Sequence, residues 1–276
     1  GSGTFNIAVG LNAFGAGTTG DDNVAIGRLA LGAGVTTGGV NIAIGATAGD
    51  AITSGACNIA IGLNALTAAT DNCDNIAIGQ SALAASVNDG DCNIAIGKLA
   101  LGAADVSGNN NVAIGLQSLD ELTSGACNVA LGKNALGSAT NNNNNVAIGN
   151  EALAASVNDA ANNVAIGVLA LGGADVSGNH NIAIGSNAAD SLTSGASNIA
   201  MGVNALGANT TGTCNIAIGQ NAVSNAGDSA IADNVGIGQS ALGGAALTGS
   251  NNIGIGKNAA DALTSGACNI ALGENA

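Results

Sequence analysis

The chain has 276 residues, 18 acidic and four basic side chains, a formal net charge of −14, 45 glycines, no proline and two aromatic residues, both Phe. That charge repels nucleic-acid phosphates and anionic bilayers, so neither is an expected partner, and no apolar run is long enough for this segment to enter a membrane. A composition this poor in rings cannot fill a broad core, and it predicts instead a thin apolar column of Ile, Val, Leu and Ala.

The first predicted element opens at Asn6. The word Asn-(Ile/Val)-Ala-(Ile/Val/Leu/Met)-Gly begins there and again at Asn23, Asn41, Asn58, Asn75, Asn93, Asn111 and Asn128. It continues at Asn145, Asn163, Asn181, Asn198, Asn215, Asn234, Asn252 and Asn269, with Gly in place of Ala only at Gly236 and Gly254. Starts fall 17 or 18 residues apart, with one interval of 19, too short for a pair of helices and right for one turn of a stacked β-coil. The fold class predicted is all-β, a parallel β-solenoid or β-roll of about sixteen rungs, forming one repeat domain over residues 1–276.

Within a rung the first and third residues after the Asn share a face, because side chains alternate along an extended chain. They are always aliphatic or Met, so the expectation assigns them to the interior, as with Ile7 and Val9, Ile59 and Ile61, and Ile94 and Ile96. The Ala or Gly between them then forms an outer strip of the smallest side chains, against which something flat should lie. The closing glycines, among them Gly10, Gly27, Gly45 and Gly62, mark a corner that needs positive φ or a close backbone approach. The Ala-Leu pair that usually follows, as at Ala65-Leu66, reads as a second short strand closing the rung. The motif Asn residues are expected to stack into a structural ladder of amides, each donating to the next, in preference to a ligand site.

A longer period is superposed on the short one. Leu122-Thr-Ser-Gly-Ala-Cys-Asn128 has counterparts at residues 52–58, 192–198 and 263–269, and Ala84–Asp89 has one at 154–159, offsets of 70 or 71 residues. Duplication of a four-rung block suits a spacer or multivalent surface better than a catalyst.

Five of six cysteines, Cys57, Cys92, Cys127, Cys214 and Cys268, stand just before a motif Asn. Cys57 and Cys92 are two rungs apart, about 9.6 Å, beyond disulfide reach, so within the chain only Cys73 on the rung between them could pair. The expected role is small packing residues, with pairing between chains open. His180 reads as a turn residue without a triad partner, and Arg28, Lys98, Lys133 and Lys257, each following a motif Gly, as a solvent-facing column. No cofactor is expected. The alternative is calcium at turn clusters such as Asp71-Asn-Cys-Asp74 and Asn88-Asp-Gly-Asp91, or at the four-rung repeat Asp50, Asp120, Asp190, Asp261.

The repeated word, followed by Asn-Ala-Leu at residues 64–66 and 134–136, resembles the head repeats of trimeric autotransporter adhesins and kindred bacteriophage tail-fibre repeats. The resemblance spans essentially the whole chain, although the family's Asn-Ser-Val-Ala-Ile-Gly has Asn for Ser here, as at residues 144–149, and these rungs are longer. It implies a left-handed β-roll, a homotrimer in which the Ala/Gly strip from Ala8 to Ala271 is a candidate for close approach, and an extracellular place on a cell or virion. The functional expectation is a non-enzymatic structural or adhesive fibre protein whose partners are copies of itself and a glycan or surface receptor. The alternatives are a filament joined end to end through uncapped rungs and, on weaker grounds, an ice-binding solenoid, since Thr53, Thr123, Thr193 and Thr264 recur only every fourth rung.

Overall fold

The computed structural model describes residues 2–87, 90–157, 159–226 and 230–276. It is an all-β parallel solenoid of sixteen three-residue strands, one in each copy of the repeated word. The chain divides into two compact units, Gly1–Asn141 and Asn142–Ala276. Among the described residues no helix is long and apolar enough to cross a membrane.

The first unit holds β1 (Ile7–Val9), β2 (Val24–Ile26), β3 (Ile42–Ile44), β4 (Ile59–Ile61), β5 (Ile76–Ile78), β6 (Ile94–Ile96), β7 (Val112–Ile114) and β8 (Val129–Leu131). Neighbours pair in parallel and in register, so that Ala8 lies beside Ala25 and Ile59 beside Ile76. The second unit repeats the arrangement with β9 (Val146–Ile148), β10 (Val164–Ile166), β11 (Ile182–Ile184), β12 (Ile199–Met201), β13 (Ile216–Ile218), β14 (Val235–Ile237), β15 (Ile253–Ile255) and β16 (Ile270–Leu272). Gly236 there pairs with Ala217 on one side and Gly254 on the other.

Each coil turns on a fixed set of left-handed residues. The residue ahead of every motif Asn has φ near +60°, for example Cys57 at 60°, and the second and fourth residues after the closing Gly follow suit, as Asn64 at 55° and Leu66 at 51° show. The expected second strand is therefore absent: the Ala-Leu pair lies in a turn, and a residue at positive φ cannot sit in a regular ladder. The closing glycines adopt φ of 134° at Gly10, 136° at Gly27, 137° at Gly45 and 134° at Gly62. Each also lies so close to its neighbour that an added Cβ on Gly62 would fall 2.6 Å from the Gly79 carbonyl oxygen. Both of the reasons expected for a glycine operate at this corner.

The inside and outside of the strand are the reverse of the expectation. The central Ala of each interior strand is buried, Ala25 and Ala77 completely, while Ile59, Ile61, Ile94 and Ile96 on either side of it are partly exposed and Ile7 and Val9 are open to solvent. Alternation dictates which residues share a face, not which face is inward. The interior opposite the strand is already occupied by the coil's own Leu column, with Leu31, Leu66, Leu83 and Leu101 fully buried. At Gly236 a Cβ would come within 2.6 Å of Val223 Cγ2 and 2.9 Å of the Ala241 carbonyl oxygen, so even the Ala of the other strands would force a shift there, and the space behind the strand is narrow. The flat object against the small strip is the same coil's far wall, and that strip cannot be where another chain approaches. Each buried Leu contributes about 2 kcal/mol by transfer from water.

Candidate functional site

Three features carry the chemistry on offer: the outward aliphatic face, the line of buried Asn residues and the outer turns. The aliphatic face arises directly from the narrow interior. Two side chains from every strand point outward, with Ile26, Ile44, Ile114, Ile148, Met201 and Ile255 each at least 36% exposed. The residue after the closing Gly extends the face where it is apolar, Leu63 at 47% and Val168 at 47%. Each eight-strand unit thus presents a strip of sixteen outward side chains, all aliphatic except Met201, flanked by a column that mixes apolar residues such as Leu63 and Val168 with polar and charged ones such as Lys98 and Gln220.

The Asn line is buried throughout the interior rungs, and its bonding differs from a simple amide ladder. Asn58 is typical. Its Oδ1 accepts the Asn75 backbone N–H at 3.0 Å, and its Nδ2 donates to Asn41 Oδ1 at 3.1 Å and to the Asn72 carbonyl at 2.7 Å. One side chain therefore ties the coil before it and the coil after it to its own. At Asn75 and Asn93 the amide donates only forward, to the Gly90 and Gly108 carbonyls, while the backbone N–H of each still bonds the preceding Oδ1. The constant link along the ladder is backbone N–H to side-chain carbonyl. Burial in both cases makes the polar contacts obligatory.

Acidic and amide side chains in the outer turns play a part that was not foreseen. Asp21 Oδ1 accepts the Thr4 N–H at 2.6 Å, Asp50 Oδ1 the Ala33 N–H at 2.9 Å, Asp91 Oδ1 the Cys73 N–H at 2.6 Å and Asp105 Oδ1 the Val87 N–H at 2.7 Å. Each satisfies a backbone donor one coil earlier. Those hydrogen bonds, from the Thr4 backbone and then its hydroxyl, hold the Asp21 carboxyl below its usual range. The signal in the sequence was the offset of 17 or 18 residues between a turn carboxylate and the turn it caps. The four-rung duplication is visible at the same level: Asn72 Nδ2 donates to Ser86 Oγ and Asn142 Nδ2 to Ser156 Oγ, both at 2.8 Å, one pair in each unit.

Among the described residues no three His, Cys, Asp or Glu side chains come together as a metal site. Asn88 and Asp89 of the second turn cluster lie outside the described residues. Arg28, Lys98, Lys133 and Lys257 are exposed, Lys257 standing 3.9 Å from Glu274, and His180 occupies an exposed turn at φ 62°.

All six cysteines are free thiols. Cys57, Cys92, Cys127, Cys214 and Cys268 are exposed, whereas Cys73 is half-buried and its Sγ contacts the Asp71 carbonyl at 3.3 Å. Under native, reduced conditions a thiol-exchange reagent should modify five thiols in a fast phase and Cys73 more slowly. A single phase for all six, restored to five by Cys73→Ser, would contradict this placement.

In the second unit the coils from Asp190 to Gly243 border an open surface cavity of about 370 Å³. Its walls are formed by Asp190, Asn204, Asn221, Ser224, Asn225 and Ser240. Partial burial raises the Asp190 carboxyl above its usual range, opposed by hydrogen bonds from its own backbone N–H and that of Ser191. No protein-family model matches this chain, and no curated protein matches it.

Proposed function

We propose that the chain is a non-enzymatic structural protein that associates with copies of itself through the outward Ile/Val face. The observation that supports this most directly is the row of outward aliphatic side chains repeated on every strand of each unit, exposed apolar surface of the kind that marks an association site. The sequence resemblance to adhesin heads and phage tail-fibre repeats favours a left-handed homotrimer, extracellular, on a cell surface or virion, in which the strip becomes a shared core. Its role there is a shaft or head that presents the polar outer turns, many times over, to a partner. A structural reading also agrees with the acidic groups, several of which are engaged in capping backbone donors of the neighbouring coil. Thr53, Thr123 and Thr193 donate their hydroxyls to carbonyls of the next coil, at 2.9 Å in each case, a use that competes with binding ice.

Light scattering on the purified chain, with and without reductant, tests the reading. The expected result is one species of three chains in both conditions. Replacing Ile44, Ile61 and Ile78 together by Glu should dissociate it to single chains while circular dichroism retains the β-signal, because the three side chains stand on the outer face and do not fill the coil. A monomer at tens of micromolar, or a trimer indifferent to the triple substitution, would sink the interface. Open-ended polymers would instead favour end-to-end assembly.

A further inference from the structure

The cavity of the second unit has a feature that the fold itself does not demand. The fifth residue after the closing Gly is Asp190, Gly207, Ser224 and Gly243 in four successive coils, so side chains alternate with none. Gly243 is compelled, since a Cβ there would lie 2.0 Å from the Asn221 carbonyl oxygen. Gly207 is not: its backbone is outside the left-handed region, and the nearest atoms to a Cβ are the Asn204 carbonyl oxygen at 3.2 Å and Asp190 Oδ1 at 3.5 Å. A small side chain could be fitted with minor adjustment, and its absence leaves the space open.

What lines that space narrows what could fill it. There are amides from Asn204, Asn221 and Asn225, hydroxyls from Ser224 and Ser240, and the Asp190 carboxylate, with no basic or aromatic side chain. Among the described residues the side-chain amides of Asn204 and Asn221 make no hydrogen bond, although Asn residues elsewhere on the same turn column do, as when Asn258 Nδ2 donates to Asn275 Oδ1 at 3.0 Å. An anion would meet a carboxylate and a chain of net charge −14 without a cation to offset either. A single divalent cation needs its oxygens within about 2.6 Å of one point, whereas these walls rise through four coils at about 4.8 Å each. An apolar ligand would strand the amides without partners. Groups that donate and accept at once, spread over roughly 14 Å, match the hydroxyls of one or two linked sugar rings: a side-chain amide can both donate to and accept from a neighbouring pair, and a carboxylate accepts from one. The volume lies at the small end of ligand sites, about 300 to 1,000 Å³.

We propose that the cavity walled by Asp190, Asn204, Asn221 and Ser240 binds one or two rings of a neutral saccharide, giving the solenoid a carbohydrate-recognition site. The site does not rest on self-association, since every residue in it belongs to one chain. An open polar depression with no aromatic platform should bind weakly, with Kd near the millimolar range, and would gain strength in use through multivalency.

Saturation-transfer difference NMR on the full chain, with maltose, lactose and N,N′-diacetylchitobiose as separate probes, decides the matter. At least one should receive saturation from the wild-type protein. Gly207→Val, which fills the space, and the pair Asn204→Ala with Asn221→Ala, which removes the free amides, should each weaken that binding tenfold or more. Gly207→Ser provides the milder variant if the valine chain melts early by circular dichroism, and should weaken binding by a smaller factor. No transfer to any probe would overturn the proposal, as would transfer unchanged in a folded Gly207 variant. Calcium binding at the wild-type cavity without sugar binding would also overturn it and make the depression a cation site.

Discussion

Replacing Gly97 by Ala should cost about 4 kcal/mol of folding stability. The residue sits at φ +134°, which an L side chain rarely adopts, and this alone accounts for about 1 to 3 kcal/mol. The remainder is steric. A Cβ would lie 2.5 Å from the carbonyl oxygen and 2.8 Å from the carbonyl carbon of Gly115, both backbone atoms. They cannot retreat freely, because the Gly115 N–H is held by the Ile96 carbonyl at 2.8 Å in the same ladder. Gly137, in the same unit, supplies the control: it lies outside the left-handed region and its nearest neighbour to a Cβ is the Asn134 carbonyl oxygen at 3.2 Å. Gly137→Ala should change stability by less than about 1 kcal/mol. Urea titrations of both variants followed by circular dichroism check the contrast, and similar midpoints would show that the motif glycine is not sterically required.

Asn58→Ala should be nearly as damaging, at about 3 kcal/mol. The substitution removes two donated bonds and one accepted bond, and leaves the Asn75 N–H and the Asn72 carbonyl without their partner inside the coil. Asn58 and Asn75 are fully buried and Asn72 nearly so, so water does not replace the lost contacts without opening the stack. Asn58→Asp separates shape from bonding. It keeps an oxygen for the Asn75 N–H but loses both donors and places a charge in the interior, so at neutral pH it should be no more stable than the Ala variant. Protonating that carboxyl restores one donor, and the Asp variant should regain stability relative to the Ala variant as pH falls. If Asn58→Ala melts within about half a kilocalorie per mole of wild type, the ladder is decoration and not a support.

The period, the strand in each word, the glycine corner and the structural Asn were all readable from the residues, because each recurs in a fixed column and stacking gives a column one environment. The face of the strand was not. Ile59 and Ile61 were assigned inward on hydrophobicity, but Leu66 reaches the interior first and leaves room only for Ala60. That competition is between two segments of one coil, and it depends on the left-handed turn that aims Leu66 inward, which no periodicity reports. The same turn replaced the expected second strand. The capping carboxylates were hidden for a different reason. Asp21 and Asp105 look like ordinary solvated turn residues until the coil pitch places them over Thr4 and Val87. The Asp190 cavity was invisible because it depends on glycines that recur in one turn column on alternate coils, and glycine in a turn ordinarily signals only a bend.

The left-handed residues that shape every coil also say how such a chain must come to be folded. Three positions per turn, most of them not glycine, sit in a region that isolated residues avoid by about 1 to 2 kcal/mol each, so a first coil forming alone has little to hold it. Once one exists, the next is copied onto it by contacts only 17 or 18 residues away along the chain. Folding should resemble crystal growth, a slow seeding event followed by addition of coils at a rate that does not fall as the array lengthens. Under that kinetic scheme, copying a four-rung block within a gene extends the product without slowing its assembly.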